Sequence, residues 1–447
     1  MITDSTSRPD ASATTEFTTA RALPIYVLTF VDVLGLTVIL PILHLYAAAY
    51  GASPVQIGVV AAAFPLAQII GVPMMGALSD RFGRKPLLLI SQITTCIGFL
   101  LLASATSLEM IIVSRIVDGL FGANLATAQA AITDLTDERT RAHGLGMTGA
   151  AFGLGFLFGP VIALGALEFS DSLAVPALIA AAYSFLSILL TLFSFKETLP
   201  PQRRQATNLL AVPLTAVRMI RRSHINHLLA ILFGQQVVFF AFESLLGLFI
   251  LSRLGFLGQG SALIFVYVGI ILIYAQARLI RKWSAWYGER GLIVRALALL
   301  TIGLILFSLT PAQPHPLYIE NRVINALREL APSGTEAVIG SIPVLLPPES
   351  ERGFGGVLWL LGALIPLTLG AGLIRPGLNS LMIKTVGVQD SGAVLGVSAS
   401  VVSLANAMAP LLGGLIFQAL GASAPFALGG IVMLALLVIA RRRLRES

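Results

Sequence analysis

The sequence predicts an all-α membrane protein with twelve transmembrane helices, arranged as two pseudo-symmetric six-helix bundles. Of its 447 residues, 56% are hydrophobic and 11% charged, where soluble domains carry about 25% charge. A chain this long and this poor in charge must turn most of its surface to lipid. The apolar residues gather into twelve runs, each near the roughly 20 residues that a helix needs to cross the hydrocarbon core. Short motifs also recur in the two halves at offsets that a single insertion reconciles.

Residues 1–22 are polar and include Asp4, Asp10 and Glu16. They lack the basic start of a secretory signal and are expected to stay in the cytoplasm. Helices are expected at 23–48, 55–78, 87–105, 109–133, 144–167 and 174–195, and again at 226–251, 260–281, 291–310, 356–380, 393–417 and 421–440. The bundles then span 23–195 and 226–440, joined by a basic linker at 196–225, with a polar insertion at 311–353 and a tail at 441–447. An even helix number puts both termini on one side. The loops of that side hold 23 of the 29 Lys and Arg, the opposite loops hold four, and Arg115 and Arg375 lie within the membrane. Such an asymmetry marks the basic side as cytoplasmic, and a plasma or inner membrane is the expected location. The one cysteine, Cys96, permits no disulfide within the chain.

Ionisable groups inside a bilayer are costly and point to function. Asp32 lies about 14 Å into helix 1 from the cytoplasmic side, and Asp118 about 15 Å into helix 4 from the other, at 1.5 Å per residue. In a core of roughly 30 Å the two sit at similar height, with Arg115 one turn from Asp118. Burial and like charge favour a neutral carboxyl, whereas a guanidinium favours the ionised one. A group balanced between these effects can take up and release a proton. Asp32 is the expected coupling acid, tuned by Arg115 and Asp118; a structural Asp–Arg pair is the plainer alternative. Glu243 is the acidic group well inside the second half, suited to a cationic substrate or a second proton site, or else solvated near the surface. Asn124, Gln129, Gln235, Gln236, Tyr267, Gln276 and Asn379 supply polar groups for a cavity, and Arg375 is placed to snorkel.

Gly83-Arg84-Lys85 after helix 2 corresponds to Gly288-Glu289-Arg290 after helix 8, an offset of 205, and Pro160 corresponds to Pro410, an offset of 250. The difference of 45 requires an insertion between helices 9 and 10, where 311–353 lies. There the stripe Ile319, Val323, Ala326, Leu327 and Leu330 has helical spacing. It suits a short amphipathic helix on the membrane or over the cavity, although a partly ordered loop is the reading favoured for the segment.

Gly76-Ala-Leu-Ser-Asp80-Arg81-Phe-Gly83-Arg84-Lys85 closely resembles the loop 2–3 motif of the major facilitator superfamily. Arg115-Ile-Val-Asp118-Gly119-Leu-Phe-Gly122 resembles its helix 4 motif, and Gly155-xxx-Gly159-Pro160 its helix 5 antiporter motif, whose later glycine pair is better kept at Pro410-Leu-Leu-Gly413-Gly414. The resemblance covers nearly the whole chain and is nearest to the drug/proton antiporter branch with the tetracycline exporters. It implies the major facilitator fold, a monomer, and a cytoplasmic latch at Gly76–Lys85, with Asp80 facing a helix N-terminus across the interface. The second copy has Ala285 in place of Asp80, so the latch is expected to be asymmetric.

These features predict a secondary active transporter, proton-coupled and exporting small amphipathic or cationic compounds. Its partners are the lipid bilayer, a small-molecule substrate and protons. The alternatives are a metabolite facilitator or symporter of the same fold, or a non-transporting membrane sensor. No catalytic residues and no cofactor are expected. The histidines His44, His143, His224, His227 and His315 lack metal-ligand spacing. No Gly-rich run ends in Gly-Lys-Ser/Thr, which argues against ATP-driven pumping. The basic residues sit between apolar runs and form no nucleic-acid surface.

Overall fold

The computed structural model describes residues 19–136, 140–170, 172–204, 225–329, 345–386 and 391–446. Expectations that rest on Arg139, the linker residues 205–224 with His224, Leu330 and the tail residues 1–18 and 447 lie outside the described residues. All regular structure among the described residues is helical.

Helix α1 (Thr19–Ile39) passes through a 3₁₀ turn (Leu40–Ile42) into α2 (Leu43–Ala48), and together they make the first crossing. The turn sits at Pro41, which has no N–H for the helical ladder and crowds the carbonyl four residues before it. Next come α3 (Pro54–Phe82), α4 (Arg84–Ala103), α5 (Leu108–Phe121), α6 (Asn124–Leu135), α7 (Arg141–Phe169) and α8 (Ala174–Phe193). The second bundle holds α9 (Asn226–Leu254) and α10 (Gly258–Tyr274), which runs through a π-helical turn (Ala275–Leu279) into α11 (Ile280–Ser308). It closes with α12 (Glu320–Glu329), α13 (Gly355–Val386), α14 (Ser391–Leu420) and α15 (Ala424–Glu446).

Among the described residues, eleven helical stretches are long and apolar enough to cross a membrane, and one of them, Gly258–Ser308, has 51 residues. That is about 77 Å of helix against a core of roughly 30 Å, so it holds two crossings. The break is Gly288, at φ 64° and ψ 172°, a backbone open to glycine because it has no Cβ. Gly83, its partner in the repeat, has φ 106°. With Gly288 counted, the crossings number twelve.

Two expectations are corrected. Helix 4 is not continuous over 109–133, because Gly122 separates α5 from α6. The segment after Tyr318 is not a loop: α12 forms, since Tyr318, Val323 and Leu327 are buried, so the apolar stripe has protein to pack on. The Tyr318 ring lies where a side chain at Gly255 would stand.

The bundles meet along α3 with α14 and α7 with α10. From the midplane to the end that carries α12, backbones touch. A Cβ on Gly58 would lie 2.4 Å from the Pro410 carbonyl oxygen, and one on Gly414 would lie 2.6 Å from that of Pro54. Gln418 Oε1 accepts from Val55 N, and Gln259 Nε2 donates to Leu167 O, at 3.3 and 3.2 Å. At the opposite, basic end the described ion pairs stay within their own bundles.

Candidate functional site

On α4, Gln92, Thr95 and Phe99 fall at i, i+3 and i+7 and share one face. Gln92 Nε2 donates to Ser187 Oγ of α8 over 2.8 Å, and Ser187 Oγ donates to Asp32 Oδ1 of α1 over 2.6 Å. The Gln92 amide also hydrogen-bonds the Asp32 carboxylate. One turn along, Thr95 hydrogen-bonds Asp118 of α5. One turn further, the Arg115 guanidinium stands 5.3 Å from the Phe99 ring centroid, with Nη1 3.4 Å from Asp118 Oδ2. A single face of α4 therefore carries all three intramembrane charges of the first bundle, and the Asp118 charge reaches Asp32.

Arg115 and Asp118 are each 2% exposed, whereas Asp32 is half-buried. Of the three, Asp32 is the group open to proton exchange. Arg115 and Asp118 form a sealed ion pair, in which removal of either partner would strand a buried charge. Gln92, Thr95 and Ser187 were missed from the sequence. The available signal was polar residues at helical spacing within apolar runs: Gln92 and Thr95 on α4, and Ser184, Ser187 and Thr191 on α8.

The break at Gly122 lies below this cluster. Ser91 Oγ donates to the Phe121 carbonyl and accepts from Ala123 N, the latter at 3.0 Å; Gln68 Nε2 donates to the Gly122 carbonyl over 3.1 Å. Backbone freed from a helix at membrane depth must find such partners within the protein. Discontinuous helices with exposed polar ends are a common way to build transporter sites. Asn124 opens α6 directly after the break, and its buried Oδ1 has no partner among the described residues. Gln129 is exposed.

In the second bundle, Gln236 Nε2 donates to Asn406 Oδ1 over 2.8 Å. Asn406 is a partner that sequence reasoning missed. Glu243 follows Gln236 by seven residues on the same face of α9 and is half-buried. Gln235 Oε1 and Asn379 Oδ1 are buried without partners among the described residues, and Tyr267 Oη donates to the Leu361 carbonyl over 3.2 Å. Gln276 is exposed in the π-helical turn. Apart from Gln236–Asn406, no hydrogen bond among the described residues joins these side chains to one another.

At the basic end, Arg84 Nη1 reaches Asp80 Oδ1 at 2.6 Å, and its Nε reaches Asp134 Oδ2 of α6 at 2.9 Å. Glu197 accepts from the backbone N–H groups of Arg84 and Lys85 at 2.9 and 3.2 Å. Asp80 thus pairs within its own loop; residues 387–390, which lead into α14, lie outside the described residues. Arg81 is exposed against Phe82, Lys85 Nζ donates to the Leu192 carbonyl, and Gly76 has open space beside it. Gly155 and Gly159 lie against α1, where Thr37 Oγ1 donates to the Gly155 carbonyl over 2.9 Å; Pro160 follows them in α7. Pro410 and Gly414 instead line the seam between bundles, and Gly413 packs on Leu245 of α9.

Known proteins resemble this arrangement along most of the chain. The tetracycline resistance protein, class H, of Pasteurella multocida is 26% identical over 409 residues, which cover 88% of each chain. Multidrug resistance protein 1 of Bacillus subtilis (strain 168) is 24% identical over 390 residues, 87% of each chain. The crystal structure of the human organic anion transporter MFSD10 (TETRAN) matches with a TM-score of 0.65 at 21% identity, covering 94% of this chain and 98% of that one. The nucleoside transporter NupG matches at 0.67 and 14% identity, over 94% and 98%. These structural likenesses show the fold. The family model described as Major Facilitator Superfamily matches residues 25–327, so this multi-pass membrane protein belongs to the major facilitator superfamily of transporters.

Proposed function

We propose that the protein is a proton-coupled exporter of small amphipathic or cationic compounds. It acts as a monomer in the plasma or inner membrane, with both termini in the cytoplasm. The observation that carries this reading is the half-buried Asp32, hydrogen-bonded to Ser187 and set through α4 beside the sealed Arg115–Asp118 pair. The tetracycline and multidrug resistance relatives support the direction and the substrate class. The basic loops support the orientation.

With the basic end in the cytoplasm, the α3–α14 seam lies between the site and the outer face. Rocking the bundles about the seam would carry the site to the outside. Substrate and proton drive that switch only by their different affinities for the two states. Asp32 takes the coupling proton, and Arg115 with Asp118 sets the local field. Glu243 supplies negative charge for a cation. Asn124, Gln129, Gln235, Gln236, Tyr267, Gln276 and Asn379 offer hydrogen bonds to the cargo. Gly76 to Lys85 and the Gly-Pro segments of α7 and α14 govern the switch.

The test is proton-gradient-driven accumulation of tetracycline and of a fluorescent cationic dye in everted vesicles, wild type beside Asp32→Asn. The reading expects pumping by wild type and none by folded Asp32→Asn. Pumping that persists in the variant overturns Asp32 as the coupling acid, and a wild type that moves neither probe overturns the drug-export reading.

A further inference from the structure

We infer that Asp32, Ser187 and Gln92 form a reversible hydrogen-bond chain whose direction turns over with the protonation of Asp32, which makes Ser187 and Gln92 positioning residues for the coupling proton. The inference rests on the reading of Asp32 as the coupling acid.

The geometry sets the chain in one of its two directions. Gln92 Nε2 donates to Ser187 Oγ at 2.8 Å, and Ser187 in turn donates to Asp32 Oδ1 at 2.6 Å. Both hydrogens point towards the carboxylate, which is the arrangement for an ionised acid. Ser187 and Gln92 are each 0% exposed, so water does not complete their pairing from the surface. In this direction one atom is left over: Gln92 Oε1 is buried and has no partner among the described residues. Buried acceptors without partners are rare and ask for an explanation.

Here it means that no partner among the described residues holds Oε1 in place, so the amide is free to turn. A neutral carboxyl must donate its O–H, and the acceptor already in place is Ser187 Oγ. Ser187 must then send its own hydrogen elsewhere. If the Gln92 amide turns over, Oε1 takes the place of Nε2 and accepts it. Asp32 gains one proton from the cavity; Ser187 and Gln92 gain and lose none. A hydroxyl and a primary amide suit these two places, because each offers both a donor and an acceptor.

The chain spans α1, α8 and α4, all within the first bundle, so it stays intact while the bundles move. Its last member sits on the α4 face that also carries Thr95 against Asp118 and Phe99 against Arg115. Turning over the Gln92 amide therefore passes the protonation state of Asp32 to the helix that holds the ion pair.

The test is infrared difference spectroscopy of the full chain in lipid nanodiscs through a pH titration. The acid C=O band of Asp32 is assigned by its loss in Asp32→Asn. Ser187→Ala and Gln92→Leu should each move that band to higher frequency and shift its pH midpoint by about one unit, the scale of one hydrogen bond to a charged group. Ser187→Thr, which keeps the hydroxyl, should restore both. Ser187→Cys, nearly the same size but a weak hydrogen-bonder, should behave like Ser187→Ala and serves if the alanine variant does not fold. A band unchanged in frequency and midpoint in folded Gln92→Leu and Ser187→Cys overturns the chain. A band that shifts as expected in a protein whose Asp32→Asn variant still pumps leaves the chain standing but overturns its role in coupling.

Discussion

Arg84 Nε and Asp134 Oδ2 stand 2.9 Å apart, which ties the first turn of α4 to the last turn of α6. Arg84 also reaches Asp80 and the Ser79 hydroxyl, each at 2.6 Å. The helix that carries Gln92, Thr95 and Phe99 is thus anchored at its basic end by one guanidinium. Asp134 is the stronger partner, because its side chain is 18% exposed and that of Asp80 is 40% exposed, and exposed pairs contribute little.

Arg84→Ala should therefore destabilise the protein by about 1–3 kcal/mol, since it leaves the largely buried Asp134 carboxylate to the Thr198 hydroxyl at 3.3 Å. Asp80→Asn should cost under about 1 kcal/mol. Arg84→Lys should not restore stability, because an ammonium cannot address Asp80, Ser79 and Asp134 with fixed fork geometry. Thermal unfolding in detergent, followed by the Trp fluorescence, ranks the three. An Asp80 variant as damaged as Arg84→Ala would show that the loop pair matters more than the α6 tie.

The seam between bundles is set by small residues. A Cβ at Gly58 would fall 2.4 Å from the Pro410 carbonyl oxygen, where the opposing atoms are backbone and cannot swing away. Gly58→Val should disfavour the closed seam by about 1–3 kcal/mol, the usual scale of overpacking. The population then shifts towards a form open at the α12 end by a factor of roughly 5–150. Spin labels on cysteines placed at Val55 and Gln418, in a Cys96→Ser background, should report a longer distance in the valine variant. An unchanged distance distribution would place the seam elsewhere.

His315 stacks on Phe256, with ring centroids 4.6 Å apart, and packs beside Tyr318. Burial holds its imidazole below the ordinary histidine range, a hydrogen bond to the Gly255 backbone works the other way, and the Arg352 charge adds to the depression. Burial also pushes the Tyr318 hydroxyl up to about 12, with help from Glu320, so the tyrosine stays neutral. A histidine depressed in the folded state stabilises its surroundings above its unfolded value, near 6.5, and that stability is lost as the pH falls below it. Protection factors in 315–329, corrected for the intrinsic slowing of exchange at lower pH, should fall between pH 7 and pH 5. His315→Phe should remove most of that dependence, and equal pH dependence in the variant would assign it to another group.

Why was so much of this protein legible in its sequence, and where did legibility stop? The crossings were readable because bilayer thickness sets a length that each apolar run either meets or fails. The repeat was readable because Gly83 and Gly288 both hold a left-handed backbone that other residues resist. The break at Gly122 was not readable, since its φ of −73° is open to any residue. It persists because Ser91 and Gln68, far off in sequence, satisfy the freed backbone groups. Asp32 and Asp118 were readable as charges in lipid, but their real neighbours come from α4 and α8. Serine, threonine and glutamine in an apolar helix look alike whether they bond to their own helix or to another. Thr37 does both: it donates to Val33 of its own helix and to Gly155 of α7.

The Ser91 contacts make the last prediction. Ser91 Oγ serves the Phe121 carbonyl and the Ala123 N–H on the two sides of the break. Ser91→Ala takes this partner from both groups, which keep their bond to each other at 2.8 Å, so the two lost hydrogen bonds cost about 1–3 kcal/mol together. The cheapest relief is for α5 to wind on into α6, which adds helical residues and turns Asn124 by about 100° for each residue gained. Asn124 would then leave its present position while Asp32, Ser187 and Gln92 keep theirs, because the Ser91 hydroxyl bonds to Phe121 and Ala123 and to none of the three. In everted vesicles, Ser91→Ala should raise the concentration of cationic dye needed for half-maximal pumping by about tenfold, roughly 1.4 kcal/mol of binding. The Asp32 acid band should titrate at its original pH. A loss of proton titration together with dye affinity would tie the break to the proton site and not to the cargo.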